Sequence, residues 1–463
     1  MSSRLRALVV APLVCSVACG DSGRATASDS DSSGATQSPT TTQSPTTTQT
    51  PTTSASASGT QGDSDAGTAG TAATGMAGST GGGPKFDLGV QPDAGMACGG
   101  GNGMGGVEFS YIWVANSAQG TISKINTQTL VEEGRYIVRP DSAGNPSRTS
   151  VNLAGDVAVA NRYGGVAKVL ARTDDCKDIN GMPGIQTSTG ANDILPWGVE
   201  ECVAWYTPFD FTTQRPLAWS PGQLNKGTCV YEGMQLWTTG GQANQGGSVV
   251  VYALNGETGA VEQTIPIPEV QIGGFGPYGA AFDPEGNFWF VDSGNDGPTQ
   301  ELVRVDTSDN TYTIWTTPAI HPYGFTVDTK GRPWIAGYDG GIARFDPIAE
   351  TFDVNPAVTG LGIQEDALGR MWVAKYPWVQ PETIFALDRD SMQFIKEIVL
   401  PSSLVKGISI DFYGKVWAVD QGQSAFRVDP DSGMFDAYQG LTGPYTYSDM
   451  TGWGLSSVTN PQG

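Results

Sequence analysis

The chain has 463 residues, with 25 Lys and Arg against 47 Asp and Glu, a net charge of −22, one histidine and six cysteines. A body that acidic repels phosphate backbones, which excludes nucleic acid as a natural partner. One His and no Cys-x2-Cys exclude a zinc centre of the usual kind.

In chain order, Arg4 and Arg6 precede an apolar run at 7–18, ALVVAPLVCSVA. A membrane span takes about 20 apolar residues, so this shorter run reads as a secretory signal, residues 1–18. The step from Ala18 to Cys19 resembles a bacterial lipoprotein cleavage box. The resemblance implies an exported protein, acylated on Cys19 and held to the cell envelope, at the outer membrane or cell surface, by lipid alone. The alternative is cleavage after Ala25-Thr26-Ala27, giving a soluble secreted protein. Residues 20–85 contain no Phe, Trp, Tyr, Leu, Ile or Val. Such a segment cannot offset the entropy of ordering, so 19–107 is expected to be a disordered Ser/Thr/Pro/Gly stalk. As a flexible coil it would reach about 50 Å root-mean-square.

The remainder, 108–463, carries a repeat. GAAFDPEGNFW (279–289), GFTVDTKGRPW (324–334), GIQEDALGRMW (362–372) and GISIDFYGKVW (407–417) share Gly-x3-Asp-x2-Gly-x2-Trp without a gap. Asp and Gly at the ends of a four-residue turn suit a type I turn, and the Trp opens the next strand. With a third and fourth strand after it, each unit is one blade of a β-propeller. Residues 148–170, and 215–220 followed by 234–259, form two more degenerate blades. The first strands, YIWVANSAQGTISKINTQT (111–129), lack an inner partner, and TGWGLSSV (451–458) reads as that missing strand. A C-terminal strand within 443–459 thus closes the first blade, giving an all-β, seven-bladed propeller in which His321 opens the fifth blade. The turn reading of Asp283, Asp328, Asp366 and Asp411 explains Asp and Gly together, which a metal reading does not.

An irregular stretch, about 172–233, holds Cys176, Cys202 and Cys229. In an exported chain the four cysteines left after Cys15 and Cys19 pair as two disulfides, for which Cys176–Cys202 and Cys98–Cys229 are the preferred connectivity. Asp174, Asp178 and Asn180 outline an incomplete calcium loop. Cys176 and Thr187 stand at its first and twelfth positions, so only a looser Ca²⁺ or Mg²⁺ site is expected.

The blade openings GPYGAAFDPEGNFWFVDSG and HPYGFTVDTKGRPWIAG resemble virginiamycin B lyase (streptogramin lyase) and its relatives, over roughly 109–459. That resemblance implies a seven-bladed propeller in which a His between Pro and Gly of some blade openings, with a Glu before the Pro, serves a magnesium-assisted eliminative ring opening. Here Tyr278 and Tyr323 occupy that place. Their counterparts in the other blades are Leu361, Lys406, Thr451, Ser147 and Arg215. His321 and Asp449 stand one step before the Pro position, in blades on opposite sides of the channel.

The expected function is binding or scaffolding at the envelope by a monomer. The site is the channel mouth, with Tyr278, Tyr323, His321, Lys406 and Arg215 as ligand contacts. Both tyrosine hydroxyls are expected to be available to a small molecule, peptide or envelope polymer. The rival is a lyase acting on a cyclic peptide or ester with His321 and Asp449 as its candidates.

Overall fold

The computed structural model describes residues 110–459 apart from 228–229, 243–246, 295–299, 379–381, 403 and 448. The proposed signal, stalk, Cys19, Cys98 and Cys229 lie outside the described residues, and with them the Cys98–Cys229 pairing.

Among the described residues seven antiparallel sheets form the blades and an eighth, two-stranded sheet lies in an insertion. Blades 2 to 7 are each ordered from inner to outer strand in sequence order, and blade 1 shows three strands. Blade 2 runs through Pro146–Val151, Val157–Asn161, Val166–Val169 and Val203–Thr207, and blade 3 through Thr213–Trp219, Gln235–Gly241, Ser248–Asn255 and Val261–Gln271. Blades 4 to 7 have inner strands Pro277–Phe282, His321–Val327, Thr359–Glu365 and Val405–Ile410. The fold is the seven-bladed propeller that the repeat implies.

The repeat motif acts as a latch. Asp283, Asp328, Asp366 and Asp411 accept the indole N–H of Trp289, Trp334, Trp372 and Trp417 at 2.7, 2.9, 2.8 and 2.8 Å. The other oxygen of each takes backbone N–H groups of its own turn, as Asp411 does from Tyr413 and Lys415, both at 2.9 Å. The turn glycine must adopt positive φ, +76° at Gly331 and +73° at Gly414, where an L side chain is strained. Each Trp is thereby fixed in the apolar layer between blades. Trp289, for example, stacks on Trp315 at 5.5 Å and meets Phe345 of the next blade at 6.0 Å.

The Gly of each blade opening has a different purpose. A Cβ on Gly324 would fall 2.0 Å from the Leu361 carbonyl, and one on Gly407 2.3 Å from that of Thr446. Both contacts are with the inner strand of the following blade, so glycine is what lets neighbouring inner strands approach closely.

Two expectations are corrected. The segment 451–458 is not a strand: Trp453–Thr459 is a helix, α1. The missing inner edge of blade 1 is supplied instead by Pro444, Tyr445 and Met450. Asn116 bridges Pro444, the Tyr445 N–H donates to the Ala115 carbonyl at 3.1 Å, and the Trp113 N–H to that of Met450 at 2.9 Å. Past Met450, only the first residues of Tyr111–Asn116 remain to pair with, and the chain turns under the ring. Asp449 accepts the N–H groups of Gly452 at 2.8 Å and Leu455 at 3.1 Å, which secures the start of that helix.

The irregular stretch 172–233 is likewise two insertions, not one. The first lies between the third and fourth strands of blade 2. The second, between the first two strands of blade 3, holds a small hairpin of Gln223–Asn225 and Val230–Glu232. Cys176 and Cys202 are disulfide-bonded across the first, as expected.

Candidate functional site

The inner strands all begin at one end of the channel, here called the upper end. The register there places one side chain from each blade in a ring: Tyr445, Ser147, Arg215, Tyr278, Tyr323, Leu361 and Lys406. Six of these are the positions expected from sequence. The seventh is Tyr445 and not Thr451. The missed signal is plain in retrospect, because Gly443-Pro444-Tyr445 repeats the Gly-Pro-Tyr of 276–278 and the Pro-Tyr of 322–323.

The three equivalent tyrosines meet across the channel. Tyr323 Oη donates to Tyr445 Oη at 2.8 Å, and the Tyr278 and Tyr445 hydroxyls lie 3.4 Å apart. Tyr447, two residues further on, stacks on Tyr278 at 5.6 Å and lies tilted against Tyr323 at 4.7 Å. This corrects the expectation of open hydroxyls: Tyr278 and Tyr323 are 2% and 4% exposed, and their hydroxyls are engaged with one another's partner. Burial pushes both phenols well above their usual range, and pushes Tyr445 up to about 12. They are neutral hydrogen-bonding groups at physiological pH, unsuited to act as bases.

Four cations surround this aromatic floor. Arg148 stands where the regular blades have the opening Gly; it pairs with Ala160 as Gly324 pairs with Ala336. Its guanidinium donates to the carbonyls of Tyr447 at 2.7 Å and Tyr323 at 2.9 Å and lies 3.5 Å over the Tyr447 ring. Arg162 lies 4.0 Å over Tyr445, Lys406 also 4.0 Å over Tyr445, and Arg215 5.2 Å over Tyr278. Arg215 also donates to the Phe275 carbonyl at 3.1 Å and to Thr213 Oγ1. Arg162, Arg215 and Lys406 are only 3%, 5% and 6% exposed. Sequence reading found Arg215 and Lys406 but missed Arg148 and Arg162, because neither lies at the repeat's variable position.

His321 is on the upper rim, half-buried, with Nδ1 3.5 Å from exposed Asp339 and its ring stacked on Tyr338 at 5.2 Å. Asp449 is elsewhere. It lines a cavity of about 30 Å³ with Thr326, Gln364 and Leu455 at the lower end, room for a water or two. Phe325 and Val327, at the far end of the strand that His321 opens, line the same cavity, so His321 and Asp449 are separated by roughly 13–20 Å of strand. They do not form one acid–base pair. The protein around Asp449 pushes its carboxyl up, offset in part by the N–H donors of α1.

Two acids near the upper loops were not singled out by sequence. Burial, then the charge of Glu301, raises Asp292 to about 7, and burial raises Glu382 to about 7. Neither repeats at a fixed spacing, so no pattern marked them.

The calcium-loop residues are not gathered. Asp174 and Asp178 are exposed, and the Asn180 side chain bonds the Met182 N–H at 2.8 Å and the Val199 carbonyl at 3.0 Å. The loop is organised instead by Glu201, which accepts the N–H groups of Ile179, Asn180 and Gln186 at 2.7–2.9 Å. Among the described residues no group of three or more His, Cys, Asp and Glu could hold a metal.

No protein-family model matches the chain, and no curated protein does. Solved structures do. A functionally unknown protein from Desulfotomaculum acetoxidans is similar at a TM-score of 0.50 and 11% identity, over 73% of this chain and 98% of that one. A Lactobacillus plantarum protein is similar at 0.48 and 15% identity, over 73% and 98%. A Bacteroides fragilis protein, provisionally described as a 6-phosphogluconolactonase, is similar at 0.47 and 11% identity, over 73% and 98%. At 11% identity the first of these likenesses concerns the fold alone and shows nothing finer about this chain.

Proposed function

We propose that this is a binding protein of the cell envelope whose site is the upper channel mouth and whose ligand carries negative charge. One observation supports it above the others. Arg162, Arg215 and Lys406 come from three blades to within 4.0–5.2 Å of Tyr445 and Tyr278, in a chain of net charge −22. Cations so nearly removed from water act on an incoming anion through a reduced dielectric, where their attraction is strongest. The neutral tyrosines and the wide separation of His321 from Asp449 favour binding over lyase chemistry, since proton transfer needs groups within hydrogen-bond reach of one substrate.

Inorganic pyrophosphate serves as the probe. It should raise the melting temperature of the protein in proportion to the logarithm of its concentration. Lys406→Met and Arg162→Met should each weaken that effect at least tenfold while the far-UV spectrum stays unchanged. Absence of any shift, or a shift that survives both substitutions, overturns the reading. The envelope part of the proposal rests on the signal-like 1–18 and on Cys19. Cys19→Ser should move the protein to the soluble fraction, because acyl chains supply most of such membrane affinity; a mature chain beginning at Ser28 sinks it.

A further inference from the structure

Where blades 5 and 6 reach the rim, the cationic floor is bordered by a track of aromatic rings. His321 stacks on Tyr338 at 5.2 Å, Tyr338 meets Tyr376 edge-on at 6.1 Å, and Tyr376 meets Trp378 edge-on at 5.1 Å. Lys406 lies 5.3 Å over the Trp378 ring and so joins this track to the floor. All four rings are half-buried, each leaving part of its surface to solvent. They come from blades 5 and 6, where the strand ends Tyr338 and Tyr376 carry them side by side onto the rim. Trp378 is held in place by its indole N–H on the Val405 carbonyl at 3.3 Å. Tyr and Trp present such faces at little entropic cost, which is why they recur in binding surfaces.

Resting on the anion-site reading above, we propose that the ligand is an acidic saccharide chain. Its sugar rings would lie along Tyr338, Tyr376 and Trp378, and one carboxylate or sulfate would enter toward Lys406 and Arg162. A pyranose ring has an apolar C–H face and a polar edge, so it covers an aromatic ring while keeping its hydroxyls wet. Rings set at angles of 79° and 78° to one another offer a notched surface that suits linked sugar rings better than one flat aromatic ligand. The charge at one end of the track fixes orientation, in the usual division between apolar lining and a few polar anchors. Single-stranded nucleic acid also joins stacking to cations. Its flat bases stack best on open parallel faces, whereas these rings stand at 79° and 78° to one another.

The test is isothermal calorimetry on the purified protein with tetragalacturonate, maltotetraose, inorganic pyrophosphate and an eight-residue oligothymidylate. Tetragalacturonate should bind at least tenfold tighter than maltotetraose and than oligothymidylate. Trp378→Ala and Tyr338→Ser should each weaken tetragalacturonate at least tenfold and leave pyrophosphate within twofold; Lys406→Met should weaken both. The pyrophosphate response doubles as proof that the rim variants are folded. If pyrophosphate binds but tetragalacturonate does not, or binds regardless of Trp378→Ala and Tyr338→Ser, the glycan inference falls and the anion site stands. If oligothymidylate binds tightest, the ligand class is wrong. If no anion binds, the underlying site is wrong as well.

Discussion

Blades 4 to 7 and blades 2 to 3 solve the same problem differently. In the regular blades each Trp is held by an Asp six residues before it in its own turn. In blade 2, Asn152 keeps the turn, accepting the N–H groups of Ala154 and Asp156 at 2.9 Å, but Ala158 stands at the Trp position. In blade 3 an inserted hairpin replaces the turn, and Trp237 is buried with an indole N–H that finds no hydrogen-bond partner among the described residues. The ties there cross between blades instead. Trp113 bonds the Gly155 carbonyl at 3.2 Å, Trp219 that of Ser150 at 3.0 Å, and buried Lys168 reaches both Asp156 at 3.1 Å and the Gly256 carbonyl at 3.2 Å. The irregular half also supplies three of the four channel cations, Arg148, Arg162 and Arg215, while the regular half supplies the aromatic rim. Departure from the repeat is where this propeller acquired its charge.

The largest effect should come from breaking the seam between the two halves. Deleting 443–463 removes the inner edge of blade 1 and exposes two sheet edges. The expected outcome is aggregation on size-exclusion chromatography or a loss of several kcal/mol. Deleting only 453–463 takes away α1 but leaves Tyr445 and Met450 on their strand, and should give a folded, less stable monomer. A 443–463 deletion that melts as the parent does refutes closure by the terminus.

Next come the latches. Asp411→Ala leaves a buried indole N–H and two turn N–H groups without acceptors, and should cost about 2–4 kcal/mol in denaturant unfolding. Asn152→Ala, with no Trp to serve, should cost about 1–2 kcal/mol. Equal costs would mean that the Asp–Trp bond adds nothing beyond the turn.

A subtler contrast is in pH dependence. Asp292, raised to about 7, lies in a regular blade. Its unfolded value is about 3.9, so between about pH 4 and 7 the folded state holds a proton that the unfolded state has lost. Its contribution to stability is therefore full below that window and declines as pH rises through it. In Asp292→Asn the fall in melting temperature from pH 5 to pH 7.5 should be shallower than in the parent. An unchanged slope would remove Asp292 from the explanation.

The smallest effect belongs to the lone histidine. His321→Ala removes a half-exposed ring and one 3.5 Å contact to an exposed carboxylate, and should cost about 0.5 kcal/mol or less. Pyrophosphate binding should stay unchanged, because His321 is on the rim and not on the cationic floor. A tenfold loss would restore His321 as the central residue of the site.

The sequence by itself determined the blades, since the Asp-to-Trp spacing is a local hydrogen-bonded device whose chemistry is complete within a dozen residues. For the same reason it determined six of the seven ring positions; of three possible pairings it preferred the Cys176–Cys202 bridge, which the structure contains. Only the tertiary structure decided the rest. Whether the residues from Pro444 to Met450 or those of 451–458 supplied partners to Tyr111–Asn116 depended on a strand more than 300 residues away, on how few of its residues remain beyond Met450, and on Asp449 securing a helix. Tyr278 and Tyr323 look like open ligand contacts until Tyr445 and Arg148 arrive from other blades to fill the channel between them. Arg162 has no motif at all. Local pattern governs what a turn or strand satisfies within itself, whereas the channel brings together side chains that meet only once the ring has closed.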